Sequence, residues 1–209
     1  MTYRDHISRI LELSESEGVF TTAQAARFGV PREALAYTCR AGRLERLAQG
    51  AYRLIGSCPS YLDELAAIWK LTAPSLMAHE RMSADAWDGI AIGGTSAASI
   101  QGMGAFHLSP YRIFAPRRIN SRNPSVRFGR RDLSRSDVSF DVGIPVTRPE
   151  RTLLDLVLDG EDPSLVALAL ADAQALTSFS PQRLEAVFTE ECGARRGGEL
   201  LQRLRSWHF

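Results

Sequence analysis

The chain has 209 residues, of which 44% are hydrophobic and 23% charged, with a formal net charge of +1, an ordinary balance for a folded soluble protein of one domain or two small ones. That charge carries no overall nucleic-acid signature, and Cys39, Cys58 and Cys192 are odd in number and scattered, which argues against a disulfide framework or a paired-cysteine zinc site. The opening MTYRDHIS lacks the basic and apolar regions of a signal peptide, and no apolar run approaches the roughly 20 residues that span a bilayer, so a cytoplasmic protein without membrane partners is expected.

Of the 25 basic residues, 24 are arginine and only Lys70 is lysine. A GC-rich genome produces such a bias, yet its consequence is physical: nearly every cation can make a planar, two-pronged contact to phosphate or guanine.

Residues 4–17 carry Ile7, Ile10, Leu11 and Ser14 at helical spacing, and Gly18 can close that helix. Thr21 followed by Gln24 is a capping-box pair that opens a short second helix, ending near Gly29. Pro31 suits the first turn of a third helix, which stops at Gly42. Two short strands follow, Leu44–Leu47 and Ala51–Leu54, with Gln49-Gly50 as the hairpin turn. Helices, glycine turn, helix and hairpin, in that order, make a winged helix-turn-helix over residues 1–56.

In the third helix Leu35 and Cys39 share one face, which leaves Arg32, Tyr37 and Arg40 on the free side with Arg43 flanking. Arginine suits base edges or phosphate, and tyrosine suits phosphate or a thymine methyl. Arg46 and Arg53 place cations on the wing, Gln49 sits at its tip, and Thr22 begins the second helix. The expected DNA-binding set here is Thr22, Arg32, Tyr37, Arg40, Arg43, Arg46, Gln49 and Arg53. An amphipathic surface helix with solvated arginines has the same pattern.

Ser57-Cys58-Pro59-Ser60 is a polar break, taken as the boundary before a second domain at 61–209. Residues 61–71 return to a helical period and 75–89 read as helical. Ala91-Ile92 reads as a short buried strand and Thr95–Gly104 as a capped helix of small residues. Strand candidates are Tyr111–Ala115, Val126–Gly129, Val138–Phe140 and Ile144–Val146. Helices are expected over 149–159, 163–175, 180–191 and 195–206. The fold class is therefore α+β: a winged helix-turn-helix, then a domain with a small sheet and several helices.

Between 111 and 135 lie eight arginines against one acid, Asp132. Arg117, Arg118 and Arg122 fall in a loop between strands. The run is either an electrostatic footprint for phosphate or a solvated rim balanced by acids elsewhere.

Three strings together resemble the AbiEi family, the antitoxins of AbiE type IV toxin–antitoxin systems. They are GVFTTAQAARFGVPREALAYTCRAGRLERLAQGAYRL, TSAASIQGMG and IPVTRPERTLLDL. The first ends in the family's wing strand, here Gly50-Ala51-Tyr52-Arg53. In the second, Gln101 stands where the family often has histidine. The resemblance implies an autoregulating repressor and antitoxin that binds inverted repeats in its own promoter as double-stranded DNA, with self-association there. It also implies a neighbouring gene for a nucleotidyltransferase-like toxin. Alternatives are an antitoxin that binds its toxin directly, and a stand-alone regulator on the same scaffold.

No enzyme is expected and no cofactor. A carboxylate–lysine nuclease needs clustered acids beside a lysine, and Lys70 sits in an amphipathic helix without them. Gly93-Gly94-Thr95-Ser96 superficially resembles a nucleotidyltransferase phosphate loop, but no strand-borne pair of carboxylates follows to hold Mg²⁺. His6, His79, His107 and His208 have no metal-ligand spacing.

Overall fold

The computed structural model describes residues 3–207 and divides the chain into two compact units, Met1–Trp87 and Asp88–Phe209. In the first, helix α1 (Tyr3–Glu17) is followed by a three-residue strand β1 (Val19–Thr21) and helix α2 (Thr22–Arg27). Thr21 caps α2 as the capping box requires: its Oγ1 accepts from Gln24 N at 3.1 Å, and Gln24 Oε1 accepts from Thr21 N at 2.8 Å. Helix α3 (Arg32–Arg40) follows from Pro31. Strands β2 (Leu44–Ala48) and β3 (Ala51–Leu54) form the hairpin, and β1 adds to β3 on its other side, giving the antiparallel order β1-β3-β2. The turn between β2 and β3 holds Gly50 at φ +91°, a conformation that side chains rarely adopt.

Ile10, Leu13, Phe20, Ala25, Val30, Leu35 and Leu44 form the core beneath the two helices and the sheet. Leu13, rather than the expected Leu11, is the buried partner of Ile10 on α1; Leu11 is 41% exposed.

The expected boundary at 57–60 falls inside the first unit. Helix α4 (Asp63–Leu71) packs on β1, β2 and β3, and its Ala67 joins Val19 and Ala51 in a small second cluster. Residues 75–89 contain only a five-residue helix, α5 (Ala78–Met82), and a 3-10 turn at Ala84–Ala86. This segment is tied to α2 by polar bonds. Arg27 grips Glu80 with both terminal nitrogens at 2.7 and 2.8 Å, and Gln24 Nε2 donates to Leu76 O at 2.7 Å. Arg27, more than any other group, holds the Glu80 carboxyl at a pKa of about 2.

The second unit is α+β. Strands β4 (Ala91–Ile92), β5 (Tyr111–Ala115), β6 (Val126–Arg130), β7 (Val138–Ser139) and β8 (Val146–Thr147) lie in the order β6-β5-β4-β8-β7. The β5–β6 and β4–β8 pairs are parallel, the others antiparallel. Helix α6 (Gly94–Gln101) joins the four helices of the C-terminal part, α7 (Pro149–Asp159), α8 (Pro163–Ala175), α9 (Pro181–Cys192) and α10 (Ala194–Ser206). Met103, Leu153, Leu154, Leu156, Val166, Ala169, Phe188 and Leu204 are the centre of their shared core. Proline opens α7, α8 and α9, where its missing N–H costs nothing.

Candidate nucleic-acid interface

Helix α3 buries Ala34, Leu35 and Thr38, and its outward face carries Arg32, Glu33, Ala36, Tyr37 and Arg40. Thr38 is accommodated because its hydroxyl donates back to Ala34 O at 2.7 Å. Among the described residues neither Arg32, Arg40 nor Arg43 has a carboxylate partner, so their charge faces water. Tyr37 is 52% exposed between them.

The hairpin stands beside this face. Arg46 lies on β2, and its Nε donates only to Ala48 O, at 3.4 Å. Gln49 is exposed at the turn. A groove of about 830 Å³ runs between the start of α2, the start of α3 and the hairpin. Thr22, Arg32, Ala36, Arg46, Gln49 and Tyr52 are on its walls. Thr22 N donates to Gly50 O at 2.9 Å, which links α2 to the hairpin turn.

Arg53 stands apart from this set. Its Nη1 donates to Asp63 at 2.7 Å and its Nη2 to Glu45, and its side chain is only 16% exposed. Glu45 lies across the hairpin from it in register, and Asp63 begins α4. Two carboxylates fix the guanidinium, so Arg53 serves the fold of the wing. Sequence reasoning counted it with the free cations because Asp63 lay beyond the expected domain boundary.

In the second unit the arginine run divides. Arg112 and Arg131 are held by Asp159, at 2.8 and 2.7 Å, and Arg131 also lies 3.5 Å from the buried Asp155. Both guanidinia stack over Phe114, 5.2 Å from the ring centre. Arg135 lies 4.2 Å over Phe140. Arg117, Arg118 and Arg122 are exposed on the loop between β5 and β6, and Arg118 Nε donates to Asn120 Oδ1 at 3.1 Å. The run is thus part scaffold and part open loop.

The segment PERTLLD proves to be core. Glu150, Arg151 and Asp155 are buried on α7. Arg151 reaches Asp155 at 3.3 Å, Glu191 at 2.9 Å and Asp137 at 3.6 Å. Burial, only partly offset by Arg151 and Arg131, lifts the Asp155 carboxyl to a pKa of about 7. Gln101 also has a structural task. Its Nε2 donates to Ala97 O, Thr147 O and Thr152 Oγ1 at 2.9 to 3.1 Å, and so joins α6 to β8 and α7.

The Gly93-Gly94 pair is explained by packing. A Cβ on Gly93 would lie 2.2 Å from the Phe114 ring, so only glycine admits the start of α6 so close to β5. Ser96 Oγ is occupied by Leu108 O and Arg112 N. Lys70 is buried against Glu17, at 2.5 Å, and burial lowers its pKa. Among the described residues, no three His, Cys, Asp or Glu side chains converge on a metal-sized site. His208 lies outside the described residues. Among the described residues, no helix is long and apolar enough to cross a membrane.

Residues 8–55 match the family model described as transcriptional regulator, AbiEi antitoxin. The matched span covers most of α1 and runs through β3, and so contains the helix-turn-helix and its wing. Among solved structures, the RV2827C protein from Mycobacterium tuberculosis is similar to the chain with a TM-score of 0.55 at 20% identity, over 95% of this chain and 77% of that one. At that identity the likeness is one of fold. The curated proteins give no match.

Proposed function

We propose that this chain, whose residues 8–55 match the AbiEi antitoxin transcriptional regulators, is a DNA-binding repressor and antitoxin that controls its own promoter. The observation that carries this reading is the free face of α3. There Arg32 and Arg40 have no carboxylate partner among the described residues, and beside them is a groove whose far wall bears Arg46 and Gln49. A helix of this kind suits the major groove, where guanidinium groups pair with guanine edges, and a wing suits the adjoining minor groove or backbone. Thr22, Arg32, Tyr37, Arg40, Arg43, Arg46 and Gln49 are the reading set.

The operator is an inverted repeat, so two copies of the chain sit on it. Arg117, Arg118 and Arg122 add phosphate contacts from the second unit. The partner gene encodes a nucleotidyltransferase-like toxin of a type IV system, and the protein acts in the cytoplasm. The chain works by binding and has no catalytic step.

The test is a mobility-shift titration with the DNA upstream of the chain's own gene against a scrambled duplex of equal length. Specific binding is typically 10³-fold or more tighter than non-specific binding. Equal affinity for the two duplexes would remove the repressor reading.

A further inference from the structure

We infer that the second unit holds a site for a small phosphate-bearing molecule of mononucleotide size, in the cleft between the end of β6 and the start of α10. The cleft has a volume of about 530 Å³, within the range of small-ligand sites. Arg130 at the end of β6 and Arg196 in the first turn of α10 line it from opposite elements. Both are exposed, and neither has a carboxylate partner among the described residues. Two guanidinia with free donors, facing one cavity, suit the oxygens of a phosphate.

Apart from Asp132, the remaining lining is already committed or apolar. Arg131 is held by Asp159 at 2.7 Å, and Glu191 by Arg151 at 2.9 Å. Glu191, so held, is not free to neutralise Arg130 or Arg196. Asp132 is the one lining carboxylate left, so the uncommitted charge in the cleft is positive. One further observation agrees with an anion. The N-cap of α10, Gly193, brings no side chain to the first-turn amides of this 13-residue helix.

Pro116, Leu158 and Cys192 give the cleft an apolar wall. A bare inorganic anion has no use for such a wall, whereas a base or other flat apolar body does. The occupant proposed is a free nucleotide, and competition with a duplex distinguishes it from a nucleic-acid backbone.

The experiment is calorimetric titration of the full chain with ATP, AMP and inorganic phosphate at low ionic strength. It is repeated with Arg130→Ala/Arg196→Ala and with Arg117→Ala/Arg122→Ala, a control that removes the same charge outside the cleft. Thermal melts show that the variants are folded, as expected for exposed, unpaired side chains. Saturable binding of ATP or AMP, weakened tenfold or more by the cleft variant and less than twofold by the control, is the expected result. No saturable binding of any probe to the unaltered chain would overturn the inference, as would equal weakening by both variants. Displacement of bound ATP by a non-specific DNA duplex would also overturn it, by assigning the cleft to the polymer. None of the direct titrations involves an operator, so the result stands or falls apart from the repressor reading.

Discussion

Lys70 Nζ donates to Glu17 Oε2 at 2.5 Å and to the Glu17 backbone carbonyl at 3.0 Å, and both side chains are almost fully buried. The pair ties α4 to the end of α1. Glu17 also accepts from Ala78 N at 3.1 Å and from Gln24 Nε2 at 3.1 Å, so one carboxylate gathers three separate stretches of the first unit. Lys70→Ala leaves that carboxylate buried without its cation. The expected loss is about 3–5 kcal/mol, read as a lower urea midpoint. A loss below about 1 kcal/mol would mean that water replaces the lysine.

Arg40→Ala is expected to weaken operator binding by about 1–3 kcal/mol and to relax base preference at one position, as the loss of a base contact does. Arg53→Ala is the matching control. Its guanidinium is spent on Asp63 and Glu45, so its removal should register in thermal stability, while sequence preference stays unchanged. Quantitative mobility shifts and melts on the two variants separate these outcomes. An Arg40 variant with unaltered preference would take α3 out of the reading role.

The triple change Arg117→Ala, Arg118→Ala and Arg122→Ala removes three exposed loop cations. If all three meet phosphate, the slope of log affinity against log salt becomes shallower by as much as roughly 2.7. Binding measured from low to moderate salt gives that slope directly. An unchanged slope would free the loop for another task.

Asp155 makes the second unit sensitive to pH near neutrality. Its folded-state pKa of about 7 lies above the ordinary value of 3.8, so between those values the folded chain holds a proton that the unfolded chain has lost. The stability contributed by this proton is complete below about pH 4 and is lost as the pH rises through about 7. Asp155→Asn keeps the neutral form at every pH. Relative to the unaltered chain, it should therefore gain stability between pH 5 and 8, by up to roughly 4 kcal/mol. Urea unfolding at a series of pH values checks this, and parallel pH profiles for the two proteins would refute it.

Local signals carried most of the element boundaries. The Thr21–Gln24 capping box and the proline starts of α7, α8 and α9 act within one turn of chain and are visible as short strings. The free face of α3 followed from helical period alone, because Leu35 has to be buried. What stayed hidden depends on distant partners. Strand β1 is three residues long and wholly buried, so it shows no alternation, and it exists because β3 offers a free edge some 30 positions later. The first unit extends past residue 60 because Glu17, Gln24 and Arg27 find partners among residues 70–80. Arg112 and Arg131 looked like members of a cationic patch until the fold brought Asp159 to them.

The hydrogen bond from Thr22 N to Gly50 O, at 2.9 Å, fastens the base of α2 to the tip of the hairpin. Gly50 cannot be exchanged without strain at φ +91°, and an added Cβ would lie 3.6 Å from Leu71 and 3.7 Å from Thr22 Oγ1. The hairpin, one prong of the motif, is therefore fixed against α2, which leads into the other prong, α3, before any target is met. A gauge of fixed width leaves adjustment to the thing gauged. If the motif reads DNA as proposed, base pairs lying between the prongs, and touched by neither, will count through the ease with which they twist or narrow to fit.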